Sequence, residues 1–285
     1  MRRLVLGLIL FAGVSLSAAT EHGPEKGTLV IVGGNMQDPA IVKKFIDLAG
    51  GPDAPIVIIP TASEDDEHYD NYWSGLKQWR ENGANNLTVL HTRDRKVADS
   101  EAFVKPIKTA RGVFFGGGRQ WRLADAYAGT LTQKAVQGVL ERGGVVGGSS
   151  AGAAILSSFM VRGDTKTNTI MMGDHTAGMG SLKNAAVDIH VLRRNRQFDM
   201  LEVLDKNPDL LGIGIDEDTA IVVDGDRFDV IGKSYALIYS TTTVAGKSGR
   251  FYFMGAGDRF DMKTRKATRR ADDWKPLEGV KPPGF

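Results

Sequence analysis

From residue 28 to residue 150 the chain repeats one arrangement: a short unbroken apolar run, a cluster of glycine or small polar residues, then a stretch with helical spacing. Leu29-Val30-Ile31-Val32 runs into Gly33-Gly34, Pro55-Ile56-Val57-Ile58-Ile59-Pro60 into Thr61-Ala62-Ser63, and Gly112-Val113-Phe114-Phe115 into Gly116-Gly117-Gly118. Asn86-Leu87-Thr88-Val89-Leu90 supplies a further strand, and Val145-Val146-Gly147 leads into Gly148-Ser149-Ser150. Runs that are apolar at every position, not at alternate ones, predict strands buried on both faces of a parallel sheet. The amphipathic stretches at 41–48 and at about 66–82 predict its covering helices. Five such βα units with short connections predict an α/β fold, a three-layer, doubly wound, mostly parallel sheet. Functional groups in such sheets collect at the carboxyl ends of the strands, where Gly34, Thr61, Gly117 and Ser150 fall.

Beyond residue 156 the pattern changes. Residues 162–180 are rich in Gly, Thr, Asp and Met without a period and predict a loop or short-strand region near the site. A strand at 185–190, a basic helix at about 193–204 and a strand ending in Asp216-Glu217-Asp218 come next. The C-terminal part predicts β-hairpins, with strands at 219–223, 228–231, 236–239 and 251–254. Gly-Asp-Arg-Phe-Asp occurs at 225–229 and again at 257–261, which predicts two hairpin turns of like chemistry. No linker divides the chain. One domain is expected over residues 20–285, with a loosely packed, proline-containing tail from about residue 263.

Composition narrows the function. The 285 residues are 42% hydrophobic with a formal net charge of +2, and no basic run is interleaved with aromatics, so a nucleic-acid partner is not expected. The absence of cysteine excludes disulfides, thiolate metal sites and a cysteine nucleophile. Arg2-Arg3, an apolar run at 4–16 and Ser17-Ala18-Ala19 together predict a signal peptide over residues 1–19, cleaved after Ala19. The protein is then secreted or periplasmic, with no membrane attachment after cleavage; an uncleaved N-terminal anchor is the alternative.

Gly148-Ser149-Ser150-Ala151-Gly152 fits Gly-x-Ser-x-Gly, in which small neighbours let a strained turn lift one hydroxyl above the sheet edge. The amide of Ala151 then points to where an oxyanion forms. The competing interpretation is a tight turn whose serines cap the helix. A nucleophile needs a base, and five histidines are available. His22 lies in the leader, His68 at a polar helix start, His91 just past a strand and His175 in the unframed loop; His190 alone ends a predicted strand and is the preferred base. Asp216, Glu217 and Asp218 end an apolar strand, where at least one carboxylate can orient an imidazole. Solvated loop acids are the alternative, and without paired histidines no metal site or cofactor is expected.

Four segments in register resemble peptidase family S51, the serine peptidases that include cyanophycinase and the aspartyl dipeptidase peptidase E. They are Phe115-Gly116-Gly117-Gly118-Arg119-Gln120-Trp121-Arg122-Leu123, Gly148-Ser149-Ser150-Ala151-Gly152-Ala153, Asp188-Ile189-His190-Val191-Leu192-Arg193-Arg194-Asn195-Arg196 and Gly212-Ile213-Gly214-Ile215-Asp216-Glu217-Asp218-Thr219-Ala220. The resemblance covers roughly residues 27–262 and implies a class I glutamine amidotransferase-like architecture and a homodimer. It implies Ser150 as nucleophile, His190 as base and Glu217 as third member, with an oxyanion hole from Ala151 and a glycine of Gly117-Gly118. Gln120 becomes a substrate contact, Arg194 and Arg196 suit substrate carboxylates, and Asp188 suits a guanidinium. The implied substrate is an aspartyl peptide such as cyanophycin, multi-L-arginyl-poly-L-aspartate, released as β-Asp-Arg; aspartyl or isoaspartyl dipeptides are the alternative. The chain departs from the family at Arg119, Ile189 and Val191 within these segments and at Asp199 just after the third, all at positions expected to face substrate. Two other classes compete. An α/β-hydrolase esterase has the order Ser, acid, His, which would make Asp164, Asp174 or Asp188 the acid, and no histidine follows His190. A binding protein on the same fold, without turnover, is the other.

Overall fold

The computed structural model describes residues 19–64, 69–70, 72–167, 169–242 and 251–269. The leader before residue 19, His68 and the tail beyond residue 269 lie outside them. The five expected strands form as β1 (Thr28–Val32), β2 (Ile56–Ile59), β3 (Leu87–Val89), β4 (Gly112–Phe115) and β5 (Val145–Ser149). They are all parallel, in the spatial order β3-β2-β4-β5-β1. Burial shows why their runs are continuous. Leu29, Ile31, Val57, Ile59, Val113 and Phe115 enter one core, while Val30, Val32, Ile56, Ile58 and Phe114 enter another on the opposite face.

Helices α1 (Pro39–Ala49) and α2 (Lys77–Glu81) supply the second core; Asp38 caps α1, accepting from the Ala40 amide, and Pro39 opens it. The helix expected from about residue 66 is helical only from 74 onward among the described residues. Helices α3 (Arg95–Ala98), α4 (Glu101–Thr109), α5 (Gln120–Tyr127), α6 (Leu131–Glu141) and the single turn α7 (Ala151–Ala154) line the first core.

The rest of the chain builds a second sheet against that core. Its strands are β6 (Ser157–Phe159), β7 (Leu182–Ile189), β8 (Leu211–Ile215), then, past β9 (Thr219–Asp224) and β10 (Arg227–Gly232), β11 (Tyr235–Tyr239) and β12 (Tyr252–Gly255). β6, β7 and β8 run parallel, and β11 and β12 continue antiparallel. Helix α8 (Met200–Lys206) covers the outer face through Met200, Val203 and Leu204. The basic helix expected from residue 193 starts only here. Residues 191–199 fold into turns instead, because Asp216 accepts from the Leu192 and Arg193 amides and holds the chain in a tight reversal.

β9 and β10 return to the first sheet beside β1 and carry β13 (Arg259–Asp261) and β14 (Lys266–Thr268) as its far edge. Each Gly-Asp-Arg-Phe-Asp copy does begin at a turn, Gly225-Asp226 closing the β9–β10 hairpin and Ala256-Gly257 leading into β13, and beyond the turns the two copies are also partners. β10 and β13 pair antiparallel with Arg227 opposite Asp261, Phe228 opposite Phe260 and Asp229 opposite Arg259. Antiparallel pairing of two identical triplets sets each arginine against the other copy's aspartate and packs the phenylalanines at a tilt with centroids 5.5 Å apart.

The chain crosses between the two sheets four times, and one crossing passes against β1. It leaves the second sheet at Ile215 and enters the first at Thr219, with Asp216-Glu217-Asp218 between them. It passes against the end of β1, where a Cβ on Gly33 would lie 2.1 Å from the Asp216 carbonyl oxygen.

Candidate active site

Ser150 stands between β5 and α7 with φ 55° and ψ −116°, a conformation that costs an L-residue of order 1–3 kcal/mol. Small neighbours make it feasible. A Cβ on Gly148 would lie 2.1 Å from the Gly152 carbonyl oxygen, and one on Gly152 would lie 2.1 Å from that of Phe115. The strained turn points the hydroxyl away from the sheet, half-buried, with its Oγ 2.8 Å from His190 Nε2.

His190 follows the last residue of β7 and also has positive φ, 54°, while its amide donates to the Gly33 carbonyl. That turn takes the side chain out of strand alternation and toward the first sheet. The imidazole lies against the bare Cα of Gly34, where a Cβ would come within 2.2 Å of Cε1. Its Nδ1 is 2.7 Å from Glu217 Oε1. A carboxylate only accepts, so Nδ1 carries the proton and Nε2 is left to accept from the Ser150 hydroxyl. Burial depresses the His190 pKa below its ordinary value, the Arg194 and Arg196 charges add to this, and the Glu217 hydrogen bond opposes it. The ring is therefore neutral at pH 7, as a proton acceptor must be.

The three acids of the crossing divide the work. Asp216 accepts from Leu192, Arg193 and the Ser234 hydroxyl; Asp218 accepts from the Gln37 and Asp38 amides and pairs with Lys233; Glu217 alone of the three reaches the imidazole. Neighbouring carboxylates thus fix the turn after His190 and the loop after β1, the two segments that frame the ring.

The remaining candidates separate. Gly117 lies beside the serine, an added Cβ falling 3.4 Å from Ser150 Cβ, whereas one on Gly118 would lie 2.0 Å from the Ala62 carbonyl oxygen. Ala151 opens α7 directly after Ser150. Arg194 is exposed, its amide donating to the His190 carbonyl; Arg196 is half-buried and its Nη1 donates to the Ile189 carbonyl. Gln120 and Asp188, expected as substrate contacts, are both buried with internal partners. Gln120 Nε2 donates to the Val161 carbonyl, and its Oε1 is buried without a hydrogen-bond partner. Asp188 does hold a guanidinium, but it is that of Arg162, which donates from Nε and Nη2 at 2.9 and 3.0 Å. Arg162 also donates to Asp199 at 2.5 Å and to the Thr169 carbonyl.

Gly34 and Asp216 were singled out in the sequence, but not as the seat of the imidazole and the brace of the following turn, and Arg162 was not singled out at all. The first had a signal in the Gly-Gly that ends β1. Arg162 had none, since it lies in the segment without periodicity. The other described histidines lie elsewhere: His91 bonds Thr61, His175 sits on Asp125 and Asp174, and His22 is buried against Lys183. Among the described residues no group of three His, Asp or Glu side chains is arranged to hold a metal ion.

Comparison with solved structures places this architecture. A peptidase from an acI-B1 Actinobacterium superposes with a TM-score of 0.62 at 26% identity, covering 84% of this chain and 98% of that one. A putative peptidase E from Listeria monocytogenes EGD-e, at 18% identity, shares the fold with a TM-score of 0.52, covering 73% and 99%. The fold is thus that of class I glutamine amidotransferase-like peptidases. Residues 29–231 match the model of peptidase family S51, and the chain belongs to that family. It is a serine-type peptidase, a hydrolase. Its relatives include the cyanophycinase of Geminocystis herdmanii (strain PCC 6308), 30% identical over 85% of this chain and 96% of that protein. The cyanophycinase of Synechococcus elongatus is 27% identical over 88% and 84%.

Proposed function

We propose that this peptidase is exported and hydrolyses cyanophycin to β-Asp-Arg dipeptides through a Ser150-His190-Glu217 triad. His190 Nε2 takes the Ser150 proton as Oγ attacks the scissile carbonyl; the imidazolium is stabilised by Glu217 and then protonates the leaving amine. Water, deprotonated by the same nitrogen, releases the acyl group. The amides of Ala151 and of the Gly117-Gly118 pair receive the oxyanion, and the approach of Gly117 to Ser150 favours the first glycine. Arg194 and Arg196, whose charges reach His190, bind substrate carboxylates.

The observation that carries the reading is the unbroken hydrogen-bond line from Ser150 through His190 to Glu217, at 2.8 and 2.7 Å, on two residues held at positive φ. The relatives' shared name supports the substrate. A second reading, an aspartyl or isoaspartyl dipeptidase, draws on Asp188 being occupied by Arg162. A fluorophosphonate probe tests the nucleophile: Ser150 is labelled in folded protein, and an unlabelled serine overturns the triad. Incubation with cyanophycin, and separately with aspartyl and isoaspartyl dipeptides, followed by mass spectrometry, tests the substrate. N-terminal sequencing of exported protein tests cleavage after Ala19.

A further inference from the structure

Of the strand-end residues Gly34, Thr61, Gly117 and Ser150, only Thr61 is still without a place in the reaction. It follows β2 and is wholly buried, yet its Oγ1 makes two hydrogen bonds, at 2.9 Å with His91 Nδ1 and at 2.6 Å with the Tyr127 hydroxyl. Burial pushes the Tyr127 pKa up to about 12, so the phenol keeps its proton, and its oxygen also accepts from the Thr92 amide. The threonine thus ties the end of β2 to the segment after β3 and to the last residue of α5.

The loop that leads into α5 rests on the residues either side of Thr61. The Gly116 amide donates to the Ile59 carbonyl at 2.9 Å, and the Arg119 amide to the Ala62 carbonyl at 2.8 Å. Gly118 packs so closely on Ala62 that a Cβ would meet its carbonyl oxygen at 2.0 Å. Arg122 reaches back to the Ser63 carbonyl at 2.7 Å. Between the pinned ends, the Gly117 and Gly118 amides make no backbone hydrogen bond among the described residues. Spare donors on a fixed loop beside the nucleophile are what an oxyanion hole requires, because its hydrogen bonds must be in place before charge develops.

We infer that Thr61 is a positioning residue for this reaction: its two hydrogen bonds fix the turn after β2, and through Ile59 and Ala62 they set where the Gly117 and Gly118 amides stand relative to Ser150. The inference rests on Ser150 being the nucleophile. Were the space only to be filled, valine, nearly the same shape, would serve without the cost of burying a hydroxyl. A hydroxyl held between two partners fixes direction as well as space. Direction matters here, since a misplacement of about an ångström, even from a change far from the chemistry, costs about 10²-fold in rate.

The test is the rate at which a fluorophosphonate labels Ser150 in the full chain, because the attacked phosphorus carries an oxygen that the hole must receive. Thr61→Val is expected to slow labelling roughly 10- to 100-fold. Thr61→Ser, which keeps the hydroxyl, labels at close to the parent rate. The pH at which labelling is half-maximal, set by His190, stays at its parent value in both, because the triad is untouched. Tyr127→Phe removes only the phenolic oxygen and keeps the ring stacked on Phe103, and it slows labelling by a smaller factor; it decides the matter should circular dichroism show the valine variant unfolded. Labelling that neither Thr61→Val nor Tyr127→Phe slows, a loss that Thr61→Ser shares, or a shifted His190 limb overturns the inference and leaves the triad standing. A parent unlabelled at Ser150 overturns the triad, and the inference with it.

Discussion

Two polar clusters sit at the end of β7, two residues apart, and they are built on opposite plans. Asp188 closes on itself: Arg162 satisfies both its oxygens, Asp199 joins on the far side, and both Asp188 and Arg162 are almost wholly buried. His190 is a line with an open end, running from a half-exposed Ser150 to Glu217, which keeps 20% of its side chain in solvent. In a regular strand, residues two apart point to one face. Here the positive φ at His190 breaks that rule and sends the ring across to the first sheet, while Asp188 stays behind to anchor the loop carrying Arg162. A closed cluster holds structure, and an open one can pass a proton; strain at one residue separates the two roles.

Substitutions at either cluster test this contrast. The largest effect is expected from Ser150→Ala, which lowers kcat by about 10⁴-fold or more in steady-state assays while leaving the melting temperature nearly unchanged. Glu217→Gln lowers kcat by roughly 10³- to 10⁴-fold, since the ring loses its orienting acceptor and the wrong tautomer is favoured. Asp216→Asn or Asp218→Asn act through the framing loops and cost less; an equal loss for all three contradicts the division of labour. Gly34→Ala forces the imidazole to move by about an ångström and lowers kcat by about 10²-fold without abolishing substrate binding.

At the closed cluster the readout is stability. Arg162→Met strands a buried carboxylate and costs about 3–5 kcal/mol in denaturant titration, whereas Arg162→Met with Asp188→Leu recovers most of it. If the single substitution is silent, the cluster is not the anchor described. The smallest effect concerns pH. Because His190 must be neutral and its pKa is depressed, kcat/KM rises through a value below the ordinary histidine range and is flat above it. Arg194→Gln removes a charge that opposes protonation, so the acidic limb moves to higher pH; a shift the other way contradicts this electrostatic account.

Much of the fold was readable in one dimension. Continuous apolar runs with glycine or small polar ends predicted β1 to β5 in one parallel sheet, and the strained-turn pattern singled out Ser150 as the centre of the candidate site. What escaped was of one kind. The pattern at 193–204 is compatible with a helix throughout, and the Asp216 carboxylate, from the crossing after β8, makes its first part a turn. Asp188 was expected to meet a guanidinium and does, but a neighbour in an aperiodic loop supplies it. The paired Gly-Asp-Arg-Phe-Asp segments were visible as copies, while their mutual pairing depends on β13 returning to β10.

Local spacing and side-chain size set the strands, the elbow glycines and the polarity of strand ends, because these depend on neighbours within a few residues. Spacing alone left three adjacent acids open where the family resemblance named Glu217, and that Ser150 and its partners come from two different sheets was decided only when the chain crossed from Ile215 to Thr219 against Gly33-Gly34. The physical reason is steric and long-range: only a residue without Cβ lets the crossing and the ring approach β1, and no local pattern encodes what will pass there.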